Sequence, residues 1–229
     1  FYAHTEDTFT LGSEIKALFP CPTVRGTVNE DRIAEYLLGI VVDESTTFYR
    51  DVHRLRPGHA LTVTPDGLKT WQYWSWDPER EIDLPSDEAY AEAFRAHFDE
   101  AVRCRLRRNQ PVGSYLSGGL DSSSITVTAR DQVRAQGGGP LRTYSTIYDQ
   151  FPACDERPYM QAVLEQGGFE PHFFWGDDVD RLGTLGDMLD VHDEPFFAPN
   201  LATPWAEFPR IRGSGTSVLL DGHGGDEVV

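Results

Sequence analysis

Two kinds of structure are predicted along this chain: a mostly β first part, then an α/β part in which a parallel sheet carries helices on both faces. Three observations predict them. After residue 86, amphipathic helix patterns alternate with short apolar runs, the β-α-β-α order that builds parallel sheets. Before residue 83, the signals are hairpin turns and short strand-like runs. Between the two, residues 77–86 hold Asp77, Pro78, Glu79, Arg80, Glu81, Asp83, Pro85 and Ser86, a polar, Pro-containing stretch that reads as a boundary. The predicted domains are 1–80 and 86–229.

In the first part, Phe1-Tyr2-Ala3 reads as the middle of a strand and Thr8–Gly12 as another. Ser13–Phe19 suggests a short helical turn ended by Pro20. Asn29 is a good N-cap, with Glu30 and Asp31 suited to the positive end of a helix. Ile33, Tyr36 and Leu37 give that helix an apolar face, and Gly39 stops it. Pro57-Gly58 marks a turn, and Ala60–Val63 and Thr70–Trp74 flank Pro65-Asp66-Gly67, a hairpin signal.

In the second part Ser86 caps a long helix. Its apolar stripe is Tyr90, Phe94, Phe98, Val102 and Leu106. Asp87 and Glu88 lie in its first turn and Arg103, Arg105, Arg107 and Arg108 in its last, both favourable for the helix dipole. A strand follows at Val112–Leu116, a helix at 122–135, a Gly137-Gly138-Gly139 loop, and a strand at Leu141–Tyr148. Helix 156–166, strand His172–Trp175, helices at 178–189 and 203–211, and a strand at Ser217–Leu220 complete the series.

The 229 residues are 39% hydrophobic and 25% charged, ordinary for a soluble globular protein with a core of useful size. The net charge is −17, which disfavours nucleic acid as a partner but not a bound nucleotide, whose phosphates backbone N–H groups and Mg²⁺ can hold. Cys21, Cys104 and Cys154 are far apart and odd in number, which fits reduced thiols in a cytoplasmic protein. No apolar run approaches the roughly 18 residues of a membrane span, and no signal peptide is evident. The chain opens inside a strand and stops just after a motif, so both ends are expected to lie within a longer protein.

The densest chemistry is Val112-Gly113-Ser114-Tyr115-Leu116-Ser117-Gly118-Gly119-Leu120-Asp121-Ser122-Ser123-Ser124-Ile125, read as strand, Gly loop and helix. Gly118 and Gly119 permit positive φ and let backbone N–H groups converge. Ser117, Ser122 and Ser123 supply hydroxyls, and the helix points its positive end at the loop. Asp121 suits a Mg²⁺ that bridges carboxylate and phosphate. There is no Gly-Lys-Ser/Thr and no G-x-G-x-x-G, so neither a Walker A loop nor a dinucleotide fold is indicated.

Ser117–Ser122 resembles the pyrophosphate loop of ATP-pyrophosphatases, and Pro111–Ile125 resembles the synthetase domain of asparagine synthetases. Further resemblances to that family lie at Gly12–Leu18, Arg54–His59, Tyr73-Trp74, Asp155-Glu156 and Gly222–Glu227. They cover nearly the whole chain and stand in the family's order. The resemblance implies an adenine nucleotide α-hydrolase-like (PP-loop) domain preceded by the end of an N-terminal-nucleophile, type 2 glutamine amidotransferase domain. It implies an ATP- and Mg²⁺-dependent ligase that adenylates a carboxylate, releases pyrophosphate and transfers ammonia from glutamine. Asp121 and Asp226 would hold Mg²⁺. Asp221 and Gly222 would lie near the nucleotide, with Ser117, Gly118, Gly119, Asp121 and Ser122 at the pyrophosphate. Leu116 and Thr146 match adenosine-contacting positions and fit core strand positions equally well. Asp155 and Glu156 fit a purely dipolar helix-start role.

At His223 the family usually has an acid. His223 is a candidate base for an incoming amine, with an unperturbed pKa of about 6.5, and it weakens aspartate as the assigned substrate. Asp155–Tyr159 and Asp221-Gly222-His223 also resemble lasso-peptide macrolactam cyclases, which adenylate a peptide side-chain carboxylate. A non-catalytic nucleotide-binding relative and a different ATP-pyrophosphatase are the other classes; intact Asp121 and Asp226 argue against the first, and the glutaminase-like first part against the second. The family's N-terminal Cys nucleophile and a later catalytic Lys lie outside this sequence, so the fragment alone is expected to be inactive. A homodimer is compatible with the resemblance.

Overall fold

The computed structural model describes residues 1–106, 110–196 and 201–226. It forms two compact units: Phe1–Ile82 with Gly186–Phe197, and Asp83–Leu185 with Ala198–Val229. The chain therefore passes between the units three times, after residues 82, 185 and 197, where the sequence suggested two contiguous parts.

In the first unit, β1 (Tyr2–His4) pairs antiparallel with β2 (Phe9–Leu11). The segment after β2 is a chain of tight turns rather than a helical one: Leu18 N–H donates to Ile15 O at 2.9 Å, Cys21 N–H to Leu18 O at 3.0 Å and Val24 N–H to Cys21 O at 3.0 Å. Pro20 and Pro22 remove the donors a helix would need. Ile15 and Leu18 are fully buried and form the unit's core with Ala3, Val24 and Val52. α1 (Glu30–Leu38) starts where the Asn29 side chain accepts from Arg32 N–H and ends at Gly39 with φ 69°. β3 (His59–Thr64) and β4 (Gly67–Gln72) form the expected hairpin, Thr64 opposite Gly67.

Residues from the end of α5 (Leu185–His192) complete this unit. Asp193 accepts from Lys16 N–H at 3.1 Å, and Glu194 accepts from Phe48 N–H at 2.9 Å and from Arg54 at 2.5 Å. α5 begins at Leu185, later than the helix expected from residue 178. The Asp180 carboxylate takes Gly183 N–H at 2.9 Å, a local alternative to helix, and Gly183 and Gly186 lower helix propensity.

In the second unit, α2 (Asp87–Arg105) is capped by Ser86, whose hydroxyl accepts from Ala89 N–H. Three of the five positions of its apolar stripe are used. Phe98, Val102 and Leu106 join the core, while Tyr90 and Phe94 are exposed. Arg107 and Arg108 lie outside the described residues. The sheet has order β7-β6-β5-β8, all parallel: β5 (Val112–Tyr115), β6 (Leu141–Ile147), β7 (Phe169–Trp175) and β8 (Val218–Leu220). α2, α3 (Leu120–Ala135) and α4 (Arg157–Leu164) pack on one face through Val102, Ala129, Met160 and Val163. α6 (Ala202–Gly213) covers the other through Ile211, against Tyr144 and Phe174. Helices on both faces of a parallel sheet are thus observed.

The topology positions the site. From β5 the chain moves outward to β6 and β7, then returns to the far side of β5 for β8. Adjacent strands whose crossovers lie on opposite faces leave a crevice at their carboxyl ends. That crevice lies above β5 and β8.

Candidate active site

The loop after β5 turns sharply into α3. Gly118 has φ 88°, and a Cβ there would lie 2.5 Å from Tyr159 Cβ and 2.9 Å from Met160 N. Only glycine permits both the left-handed backbone and this approach to α4. Gly119 does not use positive φ; it is the N-cap of α3, at φ −67°, with no side chain capping the helix. The first-turn N–H groups are thereby left facing the loop, where an anion is favoured.

The expected hydroxyl donors are partly turned inward. Ser122 Oγ accepts from Ser117 N–H at 3.2 Å, lies 2.9 Å from Ser117 Oγ and donates to Gly119 O at 3.2 Å. Ser117 Oγ accepts from Gly119 N–H at 3.3 Å. The two hydroxyls therefore brace the loop from within. Leu116 is buried with Ile147, Met160 and Val163, so its side chain serves the core.

β8 ends beside β5, with Leu220 paired to Ser114, and the next loop folds over Asp121. A Cβ on Gly222 would lie 2.9 Å from Asp121 Cβ and 3.1 Å from Ser122 N. One on Gly225 would lie 2.6 Å from Asp121 Cγ. Two glycines thus let the acidic loop rest directly on the Asp121 side chain, adjacent to Asp226. Glu227 lies outside the described residues. Asp221 Oδ1 accepts from His223 N–H at 3.1 Å and lies 3.5 Å from His223 Nδ1. The His223 side chain is 71% exposed, at the rim.

These residues line one cleft of about 1030 Å³. Leu116, Ser117, Gly119, Asp121, Ser122, Thr146, Asp221, Gly222, His223 and Asp226 all border it. Gly118 sits behind, against α4. Glu156 borders the cleft, whereas Asp155 braces Arg157, accepting from its Nε at 2.9 and 2.8 Å. That guanidinium holds the Asp155 carboxyl below its ordinary range.

Two groups in the cleft were not anticipated. Glu207, on α6, is 3% exposed and accepts from Thr146 Oγ1 at 2.6 Å. Tyr115 lies beside it without a hydrogen bond of standard geometry. Burial above all raises both pKa values; the carboxylates of Glu207 and Asp221 raise the phenol's further. The available signal was the four-residue spacing of Thr203, Glu207 and Ile211, all buried on one face of α6, where a glutamate is out of place.

Comparison with known proteins bears on this architecture. The family model for asparagine synthase matches residues 93–229. The chain belongs to the asparagine synthase family. A glutamine amidotransferase domain model matches residues 1–74. The chain is 33% identical to glutamine-hydrolysing asparagine synthetase 3 of Bacillus subtilis (strain 168) over 86% of its length and 34% of that protein. It is 24% identical to putative glutamine-hydrolysing asparagine synthetase 2 of Methanocaldococcus jannaschii over its whole length and 44% of that protein. It is 27% identical to amidase chry2 of Gibberella zeae over 80% of its length and 29% of that protein. The chain thus spans between about a third and a half of these relatives. Among solved structures, the U34-tRNA thiolase NcsA of Methanococcus maripaludis aligns with TM-score 0.44 and 20% identity, over 60% of this chain and 47% of that one. No helix among the described residues is long and apolar enough to cross a membrane.

Proposed function

We propose that the second unit is the ATP site of an amide-forming ligase that adenylates a carboxylate, and that the first unit belongs to the domain that supplies ammonia from glutamine. The observation that carries this reading is the contact of the two acidic loops. Gly222 and Gly225 rest on Asp121 at the open end of β5 and β8, so the pyrophosphate loop and the second motif serve one ligand. In this reading the α3 N-terminus and the Ser117–Ser122 backbone bind the pyrophosphate. They stabilise the charge that develops there as it leaves, because their dipoles are already aimed at it.

The donor set suits Mg²⁺. No group of three or more His, Cys, Asp or Glu side chains that could hold a metal occurs among the described residues, so there is no closed protein cage. Mg²⁺ characteristically takes one or two carboxylates and completes its shell with phosphate oxygens and water. Asp121 and Asp226 would hold it, and when bound it would neutralise charge on the phosphates.

The carboxylate we assign is aspartate, following the family, with ammonia attacking the acyl-adenylate. In this reading His223, exposed at the rim, takes a proton from an incoming amine. The three cysteines are free thiols, which supports a cytoplasmic setting.

The test is calorimetric titration of the chain with ATP, with and without Mg²⁺. Wild type is expected to bind MgATP more tightly than ATP alone. Asp121→Asn is expected to remove that difference, weakening MgATP about tenfold, equivalent to ~1.4 kcal/mol. An undiminished Mg²⁺ effect in a folded Asp121→Asn variant would refute the metal assignment, and a wild type that binds no ATP would refute the nucleotide site.

A further inference from the structure

Arg157 opens α4 and is the sole Lys or Arg between Arg142 and Arg181. It does not border the cleft. Its guanidinium is nevertheless fully committed to the loop that runs from β6 to α4. Nε donates to both carboxylate oxygens of Asp155, at 2.9 and 2.8 Å. Nη2 donates to Tyr148 O at 2.9 Å and to Asp149 Oδ1 at 2.8 Å. The same loop is tied to the end of β7. Trp175 Nε1 donates to Asp149 Oδ2 at 3.2 Å, and Asp177 accepts from Asp149 N–H at 2.7 Å. One planar fork therefore closes the loop on itself and fixes the point at which α4 starts.

That starting point is also what the pyrophosphate loop rests on. Gly118 turns at φ 88° against the first turn of α4, where a Cβ would lie 2.5 Å from Tyr159 Cβ and 2.9 Å from Met160 N. The contact runs from backbone to helix, so a displacement of the α4 start passes directly to Ser117–Gly119. Little else holds that start: Glu156, the N-cap of α4, makes no side-chain capping bond. The other end of α4 has a separate anchor. Arg130 Nη1 donates to Gln166 Oε1 at 3.4 Å and to Gly167 O at 3.3 Å, just past Leu164.

We propose that Arg157 is a positioning residue for the pyrophosphate: through the start of α4 it sets the Gly118 turn, and with it the aim of the loop N–H groups, without touching the ligand. The inference rests on the ATP-site reading above. Donors bind an anion well only when they are already aimed at it, so a small rotation of the loop is costly. Removing the guanidinium also leaves the Asp149 and Asp155 carboxylates facing each other without a cation, and their repulsion drives the loop apart.

The experiment is calorimetric titration of the chain with MgATP in wild type, Arg157→Gln, Asp155→Asn, the double variant of these two, and Arg130→Gln. Arg157→Gln is expected to weaken MgATP about fivefold or more. Asp155→Asn is expected to weaken it too, and the double variant no further than Arg157→Gln alone, because both act through one brace. Arg130→Gln loosens the far end of the same helix; it should lower the melting temperature and keep MgATP affinity within about twofold of wild type. Circular dichroism establishes which variants are folded. Should Arg157→Gln not fold, Arg157→Lys, which keeps the charge but replaces the fork by one nitrogen, takes its place with the same expected direction. A folded Arg157 variant with wild-type affinity overturns the proposal. So do additive losses in the double variant, and so does an Arg130→Gln that loses as much, since general loosening of α4 would then explain both. A wild type that binds no MgATP defeats the ATP-site reading itself, a result distinguishable from the others.

Discussion

Gly225→Ala separates the fold of the candidate site from its electrostatics. Its φ lies outside the left-handed region, so alanine is conformationally admissible. The new Cβ would sit 2.6 Å from Asp121 Cγ and 2.8 Å from each carboxylate oxygen, where ordinary contact begins at 3.4 Å. The carboxylate must therefore retreat by about 0.8 Å (3.4 − 2.6). The atoms that move are the end of an exposed side chain, so the fold is little strained. Loss of glycine's unfolded-state entropy contributes about 0.4–1 kcal/mol in the opposite direction. The melting temperature should stay within about 4 °C of wild type. Metal geometry is less forgiving: displacing a charged ligand by most of an ångström should weaken MgATP about tenfold, or ~1.4 kcal/mol, and leave Mg²⁺-free ATP nearly unchanged. Calorimetric titration with and without Mg²⁺, beside a thermal scan, reads both quantities. Full MgATP affinity in the folded variant, or an equal loss without Mg²⁺, would refute the reasoning.

Gly118→Ala should behave oppositely. At φ +88°, with a Cβ 2.5 Å from Tyr159 Cβ and 2.9 Å from Met160 N, it meets neighbouring backbone and should cost about 2 kcal/mol or more; an unchanged urea midpoint would contradict this. The Arg56 guanidinium, followed by Ser45, holds the Asp43 carboxyl down at about 2. A depressed carboxylate contributes stability that is full above its unfolded value of about 3.9 and disappears as pH falls through the folded value. Arg56→Ala should therefore be slightly less stable at neutral pH, the pair being exposed. The gap should close between about pH 4 and 2; a pH-independent gap in urea titrations would exclude the pairing.

What was legible in the sequence was what depends on local chemistry. The alternation after Ser86, the Asn29 and Ser86 caps and the Pro65–Gly67 hairpin are written in neighbouring residues, and so are the two Gly-rich loops. Distant partners were not legible. The α2 stripe has five apolar positions at helical spacing, but nothing local shows that Tyr90 and Phe94 lack a core to enter. Helix propensity near residue 178 was outweighed by the bond that Gly183 N–H donates to the Asp180 carboxylate. The spacing of Glu207 with Thr203 and Ile211 marks the helix face it lies on, but not its partner Thr146, sixty-one positions earlier. Residues 186–197 carry no local sign of which unit they join, since Glu194's partners, Phe48 and Arg54, stand 146 and 140 positions away.

That last feature sets an order of events during synthesis. Phe1–Ile82 leaves the ribosome before the acid groups that meet Lys16, Phe48 and Arg54, which follow more than a hundred residues later. By then β5, α3, β6, α4 and β7 have already emerged. The first unit must wait, unfinished, while much of the second is made. The N–H groups of Lys16 and Phe48 and the Arg54 guanidinium lack these partners for that interval, the period in which a nascent chain is most open to aggregation.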